Sequence, residues 1–187
     1  MSELEESSAL QIRGDDIIVV LGKRRSGKSN LIAYLIQTLH LDFVILDVVG
    51  NLRFLKDQSN VVYYSVDPDN EEQLNQILRA SAGKTIIVDE ADLYSWNRHN
   101  FLNRILQIGR NYGIGFWVSA RRPANLSKNL LSNCDLALIF SYREPRDVEY
   151  LDSWLASGID YTIKEPFTFR VFVQGEDRGL YKVEKAL

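Results

Sequence analysis

Short runs of β-branched and apolar residues recur along the chain, separated by stretches whose apolar positions return every three or four residues. The runs at 17–21, 43–47, 61–65, 85–89, 115–119, 136–140 and 169–173 predict strands. Between the first two, Leu31, Ile32, Leu35, Ile36 and Leu39 form a stripe suited to packing a helix on a sheet. A second helix is expected after Pro68, where Asp69 or Asn70 can cap it. Glu71 and Glu72 suit the positive end of its dipole, and Leu74, Ile77 and Leu78 supply its apolar face. A third helix, over 97–112, turns Phe101, Leu102, Ile105, Leu106 and Ile108 inward and leaves Asn103, Arg104, Gln107, Arg110 and Asn111 on the other face. A fourth opens near Pro145, a favourable first-turn residue, with Val148, Leu151 and Leu155 on one side. After Pro166, residues 167–173 and 179–183 predict a hairpin turning through 174–178.

Alternating strands and helices of this kind predict an α/β domain with a central, mostly parallel sheet flanked by helices and a C-terminal β-hairpin. The chain of 187 residues suits one such domain over 15–187, preceded by an acidic, weakly anchored segment at 1–14 that is expected to be flexible. No apolar run approaches the roughly 20 residues that a membrane helix requires. The acidic, polar start is unlike a basic-then-apolar leader, so a cytoplasmic setting is expected. The lone Cys134 excludes an intrachain disulfide or a cysteine zinc site and reads as a small buried hydrophobe; His40 and His99 are equally isolated. With 22 basic against 25 acidic residues the net charge is −3, which is not the footprint of an autonomous nucleic-acid binder. Any DNA contact must come from local patches.

The chemistry starts where the first strand ends. Gly22-Lys23-Arg24-Arg25-Ser26-Gly27-Lys28-Ser29 fills every fixed position of the phosphate-loop pattern between a predicted strand and a predicted helix. Glycine lets successive backbone N–H groups converge on phosphate oxygens, and the following helix aims its positive end at the same anion. Phosphate contacts are therefore expected from Gly22, Lys23, Arg24, Arg25, Ser26, Gly27, Lys28, Ser29 and Asn30. Lys28 neutralises the β- and γ-phosphates and Ser29 ligates Mg²⁺. The basic triplet Lys23-Arg24-Arg25 reads either as a solvated loop or as further phosphate or partner contacts.

Thr85-Ile86-Ile87-Val88-Asp89-Glu90 is an apolar strand ending in two acids, which suits Asp89 to hold the metal and Glu90 to polarise the attacking water. With strands 43–47 and 61–65 lying between the loop and these acids, the chain resembles the additional-strand, catalytic-glutamate division of P-loop ATPases, of RecA-like form. No Asn-Lys-x-Asp segment that would select guanine is present, so ATP with Mg²⁺ is the expected cofactor pair.

Downstream, Gly109-Arg110-Asn111-Tyr112-Gly113 leads into Phe116-Trp117-Val118-Ser119-Ala120-Arg121-Arg122-Pro123, and Ser141-Tyr142-Arg143-Glu144-Pro145-Arg146-Asp147 follows the sixth strand. In order and spacing this resembles the FtsK/HerA superfamily of ring-forming, DNA-pumping ATPases over most of the chain, from Gly22 to about Leu151. The resemblance implies an arginine completing the neighbouring subunit's site, with Arg110 the candidate and Arg143 and Arg146 in reserve. It also implies a phosphate-sensing glutamine where this chain has Arg121, which then either contacts the γ-phosphate or lies on a polar rim.

A bare motor domain of this size is similar to the viral genome-packaging ATPases of the superfamily. The resemblance implies a ring, of six or another number of subunits, moving double-stranded DNA into a preformed capsid. Capsid or portal-vertex proteins are the implied partners, and the host cytoplasm and the virion packaging vertex the implied locations. The segment 93–100, with Tyr94, Trp96, Arg98 and His99, is a candidate pore loop. Two other readings remain: an extrusion ATPase like the zonular occludens toxin group, and a non-motor ATP-dependent switch.

Overall fold

The computed structural model describes residues 10–94 and 101–183. Residues 1–9, the predicted start of the third helix at 97, and Trp96, Arg98 and His99 lie outside them. Eight strands form one sheet: β1 (Ile17–Leu21), β2 (Phe43–Asp47), β3 (Val61–Ser65), β4 (Thr85–Val88), β5 (Gly115–Ala120), β6 (Leu136–Ile139), β7 (Thr168–Val173) and β8 (Glu176–Lys182). Their order across the sheet is β3-β2-β4-β5-β1-β6-β7-β8. The pairings from β3 to β6 are parallel, and β7 and β8 add antiparallel.

The strand that separates β1 from β4 in space is β5, with Val19 opposite Val118 on one side and Val88 opposite Val118 on the other. The strands next to β1 in sequence, β2 and β3, lie beyond β4.

Successive side chains of a strand point to opposite faces, and both faces here are covered. Ile18 and Val20 join a core with Leu31, Ile32 and Ile36 of α1 (Lys28–Thr38). Val19 and Leu21 join the opposite core, together with α2 (Glu71–Arg79), α3 (Phe101–Ile108), α4 (Lys128–Ser132) and α5 (Pro145–Leu155). Continuous apolar runs in the central strands follow from burial on both faces. Trp117 and Phe43 meet edge to face at 5.3 Å, an arrangement worth about 1 kcal/mol beyond area burial. Among the described residues no helix is long and apolar enough to cross a membrane.

Local signals explain the helix starts. Asn70 caps α2 by accepting from Gln73 N at 3.1 Å, and Pro145 occupies the first turn of α5. Several details differ from the sequence expectation. The third helix ends at Ile108 and tightens into a 3-10 turn over Gly109–Tyr112, so Arg110 sits in that turn and not on a helical polar face. Asn103 is buried, while Leu106 and Ile108 are only half-buried. The hairpin turns on Gln174-Gly175 alone, both in the left-handed region at φ 50° and 84°, and β8 therefore starts at Glu176. The short α4, capped by Ser127, has too few residues to show a period.

Candidate active site

In a parallel sheet, ligands bind outside the carboxyl ends of the strands, and here β1, β2, β4 and β5 each deliver a polar segment to that edge. The loop after β1 is pinned to the sheet by Gly22 N donating to Ala120 O at 3.2 Å. A Cβ on Gly22 would collide with Ser26 Oγ and stand 2.8 Å from Phe140 Cβ, so the tight curl needs glycine. Gly27, at φ 114°, hands the chain into α1 with a backbone that L side chains resist. Ser26 Oγ is buried with no protein partner, and the buried Lys28 Nζ donates only to carbonyls of the loop itself, Gly22 O at 2.7 Å and Lys23 O at 3.3 Å. A buried hydroxyl without a partner and an ammonium held by the loop's own carbonyls, in a glycine-built curl at a helix N-terminus, are an arrangement a phosphate satisfies. Burial lowers the Lys28 pKa, and the nearby carboxylates of Glu90 and Asp89 act against that shift.

The exposed triplet Lys23-Arg24-Arg25 is divided by the loop. Lys23 and Arg24 line a cavity of about 560 Å³ shared with Asp92, Arg121 and Arg122, whereas Arg25 lines a separate one of about 200 Å³ with Lys28, Ser29 and Asn30.

Asp89 follows β4 and remains tied to β2 through its N–H, which donates to Leu46 O at 3.0 Å. Its carboxyl is buried, which raises its pKa, while the Ser119 hydroxyl and Asn51 amide act in the opposite direction. Glu90 takes a left-handed backbone at φ 51° that starts the 3-10 turn Ala91–Leu93. Strain of this kind on a non-glycine residue is tolerated where the surroundings over-determine it. Burial raises the Glu90 pKa, Asp89 adds to the rise, and Arg121 and Lys28 oppose it. Among the described residues no cluster of three or more His, Cys, Asp or Glu side chains could hold a metal ion. A magnesium ion at Ser29 and Asp89 would therefore need phosphate oxygens and water to complete its shell, as such ions do in phosphate sites.

Arg121, reached directly from the end of β5, ion-pairs with Glu90 through Nε and Oε2 at 2.5 Å. Asp92 stands further off at 3.9 Å and also accepts from Arg121 N, while Tyr142 donates to Arg121 O at 2.8 Å. Neither sequence alternative for Arg121, the phosphate or the rim, anticipated this partner.

Asn51 was not expected at the site. Its amide donates to Asp89 Oδ2 at 3.1 Å and to Glu90 Oε1 at 3.3 Å. Asp47 builds the loop that carries it, accepting from the backbone N–H groups of Val49, Gly50, Asn51 and Leu52 and from Tyr63 OH. The available signal was an acid followed by glycine and asparagine at the carboxyl end of a strand neighbouring β4.

Arg110 is at the other edge of the sheet. It precedes β5 while Arg121 follows it, and a strand of six residues spans about 20 Å. Arg110 is 72% exposed and lies 3.9 Å from Asp135, whose carboxylate is already engaged by Ile17 N at 2.8 Å. Arg143 and Arg146 are exposed near the start of α5. Tyr94, suggested for a pore, is buried in the core.

Fold and site define a P-loop nucleoside triphosphatase with an additional strand between the phosphate loop and the acidic pair. No protein-family model matches the chain. In sequence it is 30% identical over 71 residues to the DNA double-strand break repair helicase HerA of Pyrococcus furiosus, and 25% identical over 113 residues to the probable helicase MJECL08 of Methanocaldococcus jannaschii. These matches take in 35% and 57% of this chain but only 13% and 20% of those relatives' own lengths. In fold it is similar to B204, the DNA-packaging ATPase of Sulfolobus turreted icosahedral virus, with a TM-score of 0.77 and 21% identity over 92% of this chain and 100% of that one. The type VII secretion ATPase EccC of Thermomonospora curvata shares the fold at a TM-score of 0.70 and 12% identity, over 92% of this chain and 24% of that one. Together these similarities support the FtsK/HerA resemblance read from the sequence.

The buried acid gives a test independent of turnover. Folding favours protonated Asp89, whose pKa is raised from the ordinary 3.8. That contribution is complete below 3.8 and is lost as pH rises through the folded-state value. Asp89→Asn, neutral throughout, is expected to stabilise the nucleotide-free protein by about 1 kcal/mol at pH 8, with the gain shrinking towards pH 4. Urea unfolding across that range measures it; a gain that grows as pH falls would refute the assignment.

Proposed function

We propose that the chain is the ATP-hydrolysing motor domain of a ring that translocates double-stranded DNA, and that it packages a viral genome into a preformed capsid. The observation that carries the hydrolytic part is Glu90, an acid next to the buried carboxylate of Asp89, held by Asn51 and paired with Arg121, which lines the cavity beside the phosphate loop. ATP and Mg²⁺ are the cofactors of this reading, with Lys28 on the phosphates, Ser29 and Asp89 on the metal, and Glu90 on the water.

The fold likeness to B204 over that protein's whole length supports the packaging role, and the HerA similarity supports action on DNA. A ring reconciles the role with a net charge of −3, because several subunits share one duplex and their weak contacts add. Capsid or portal-vertex proteins, in the host cytoplasm and at the virion vertex, complete the proposal.

Phosphate release from Mg·ATP, measured without DNA, with single-stranded DNA and with duplex, tests it. Duplex is expected to stimulate most. A rate that ignores all nucleic acid would remove the motor reading and favour the non-motor, ATP-dependent switch.

A further inference from the structure

Two separate cavities adjoin the phosphate loop. One is lined by Lys23 and Arg24 of the loop, by Asp92, Arg121 and Arg122 from beyond β4 and β5, and by Glu144 and Asp147 from beyond β6, and Glu90 adjoins it through its ion pair with Arg121. The other is lined only by loop residues 25–30 and by Phe167, which enters from the segment before β7 on the β6 side. If the reacting phosphate faces Glu90 at the first cavity, the second, along residues 25–30, is open to the remainder of a bound nucleotide, and the aromatic ring that lines it is Phe167.

Three features separate this ring from ordinary core packing. Phe167 is only half-buried, although it rests against the aromatic cluster of Phe140 and Phe169, whose centroids are 5.4 Å apart. It adopts a left-handed backbone at φ 58°, which a bulky residue rarely holds without a compensating role. The ring also sits over the loop: a Cβ built on Gly27 would be 3.1 Å from Phe167 Cδ1. The carbonyl of Phe167 accepts from Val183 N at 3.1 Å, which anchors this conformation at the end of the C-terminal hairpin.

We propose that Phe167 is the nucleobase platform of the site, its exposed face stacking on the purine of ATP. This inference rests on the nucleotide-site reading above. An aromatic face offers dispersion and quadrupole contact with any base and no hydrogen-bond code, so the ring supplies affinity for a nucleoside triphosphate over bare phosphates while leaving adenine and guanine weakly separated.

The test compares Mg·ATP with Mg·tripolyphosphate, which has the phosphates but no base, by calorimetry on wild type, Phe167→Gly and Phe167→Tyr. Glycine removes the ring and accepts the positive φ, so the turn is kept; circular dichroism and a thermal melt confirm the fold. Phe167→Gly is expected to bind ATP about tenfold more weakly, with tripolyphosphate affinity unchanged and Phe167→Tyr close to wild type. Equal weakening of both ligands would assign the ring to shaping the loop and overturn the platform, as would no weakening of either. Wild type binding tripolyphosphate as tightly as ATP would overturn the platform alone. Binding of neither ligand by wild type would overturn the nucleotide site itself.

Discussion

Glu90→Gln lowers the rate of ATP hydrolysis by a factor of about 10² to 10⁴ while leaving ATP affinity nearly unchanged, the range over which a positioned general base contributes. Glutamine is close in shape to glutamate, and its amide oxygen still accepts from Asn51, as Oε1 does now at 3.3 Å. What it loses is the capacity to take a proton and the charge that pairs with Arg121 at 2.5 Å. Since Arg121 retains Asp92 as a weaker partner at 3.9 Å, the site is not left with an isolated cation. The substitution therefore separates chemistry from folding. Single-turnover phosphate release with parallel ATP titration is the measurement. An unchanged rate would deny Glu90 the role of base, and loss of binding together with rate would make it a binding residue instead.

The same residue also shows what the sequence made legible. Asp89 and Glu90 were readable because their signal is local: an apolar strand ending in two acids. The phosphate loop was readable for the same reason, since its glycines, Lys28 and Ser29 have fixed spacing, and the strands because burial writes apolar runs directly into the chain. The company Glu90 keeps was not readable. Asn51 lies 39 positions away and reaches Glu90 because β2 pairs with β4, and Arg121 reaches it because β5 pairs with β4 on the other side. Pairing order across a parallel sheet has no local signature.

In the sequence Phe167 reads only as the first residue of a hairpin strand, because its place beside the loop depends on β6 pairing with β1 and β7 pairing with β6. Asn103 was misplaced for a different reason. Helical periodicity assigns polar residues to the solvent face, and a buried asparagine violates that rule without altering the period.

Arg110→Ala is expected to reduce hydrolysis in the assembled protein by a factor of about 10³ to 10⁵, the contribution of an arginine on transition-state charge, and to do so only across an interface. The reason is geometric. Arg121 and Arg110 bracket β5, the first meeting Glu90 at the carboxyl edge of the sheet and the second standing at the amino edge, so Arg110 is out of reach of its own chain's phosphates. Its partner Asp135 is 3.9 Å away and the side chain is 72% exposed, so the pair is screened and its loss leaves the fold intact. In the proposed ring, Lys28→Ala is expected to abolish activity from the other half of the shared site, removing the ammonium that the loop holds. Mixed in equal amounts before assembly, the two inactive proteins place an intact Lys28 opposite an intact Arg110 in about a quarter of the interfaces of a head-to-tail ring. Activity returning in the mixture, and absent from either protein alone, establishes a shared site. If the mixture stays at background while both variants still assemble, Arg110 is not the residue donated, and the same pairing with Arg143→Ala and Arg146→Ala decides between the exposed arginines near the start of α5.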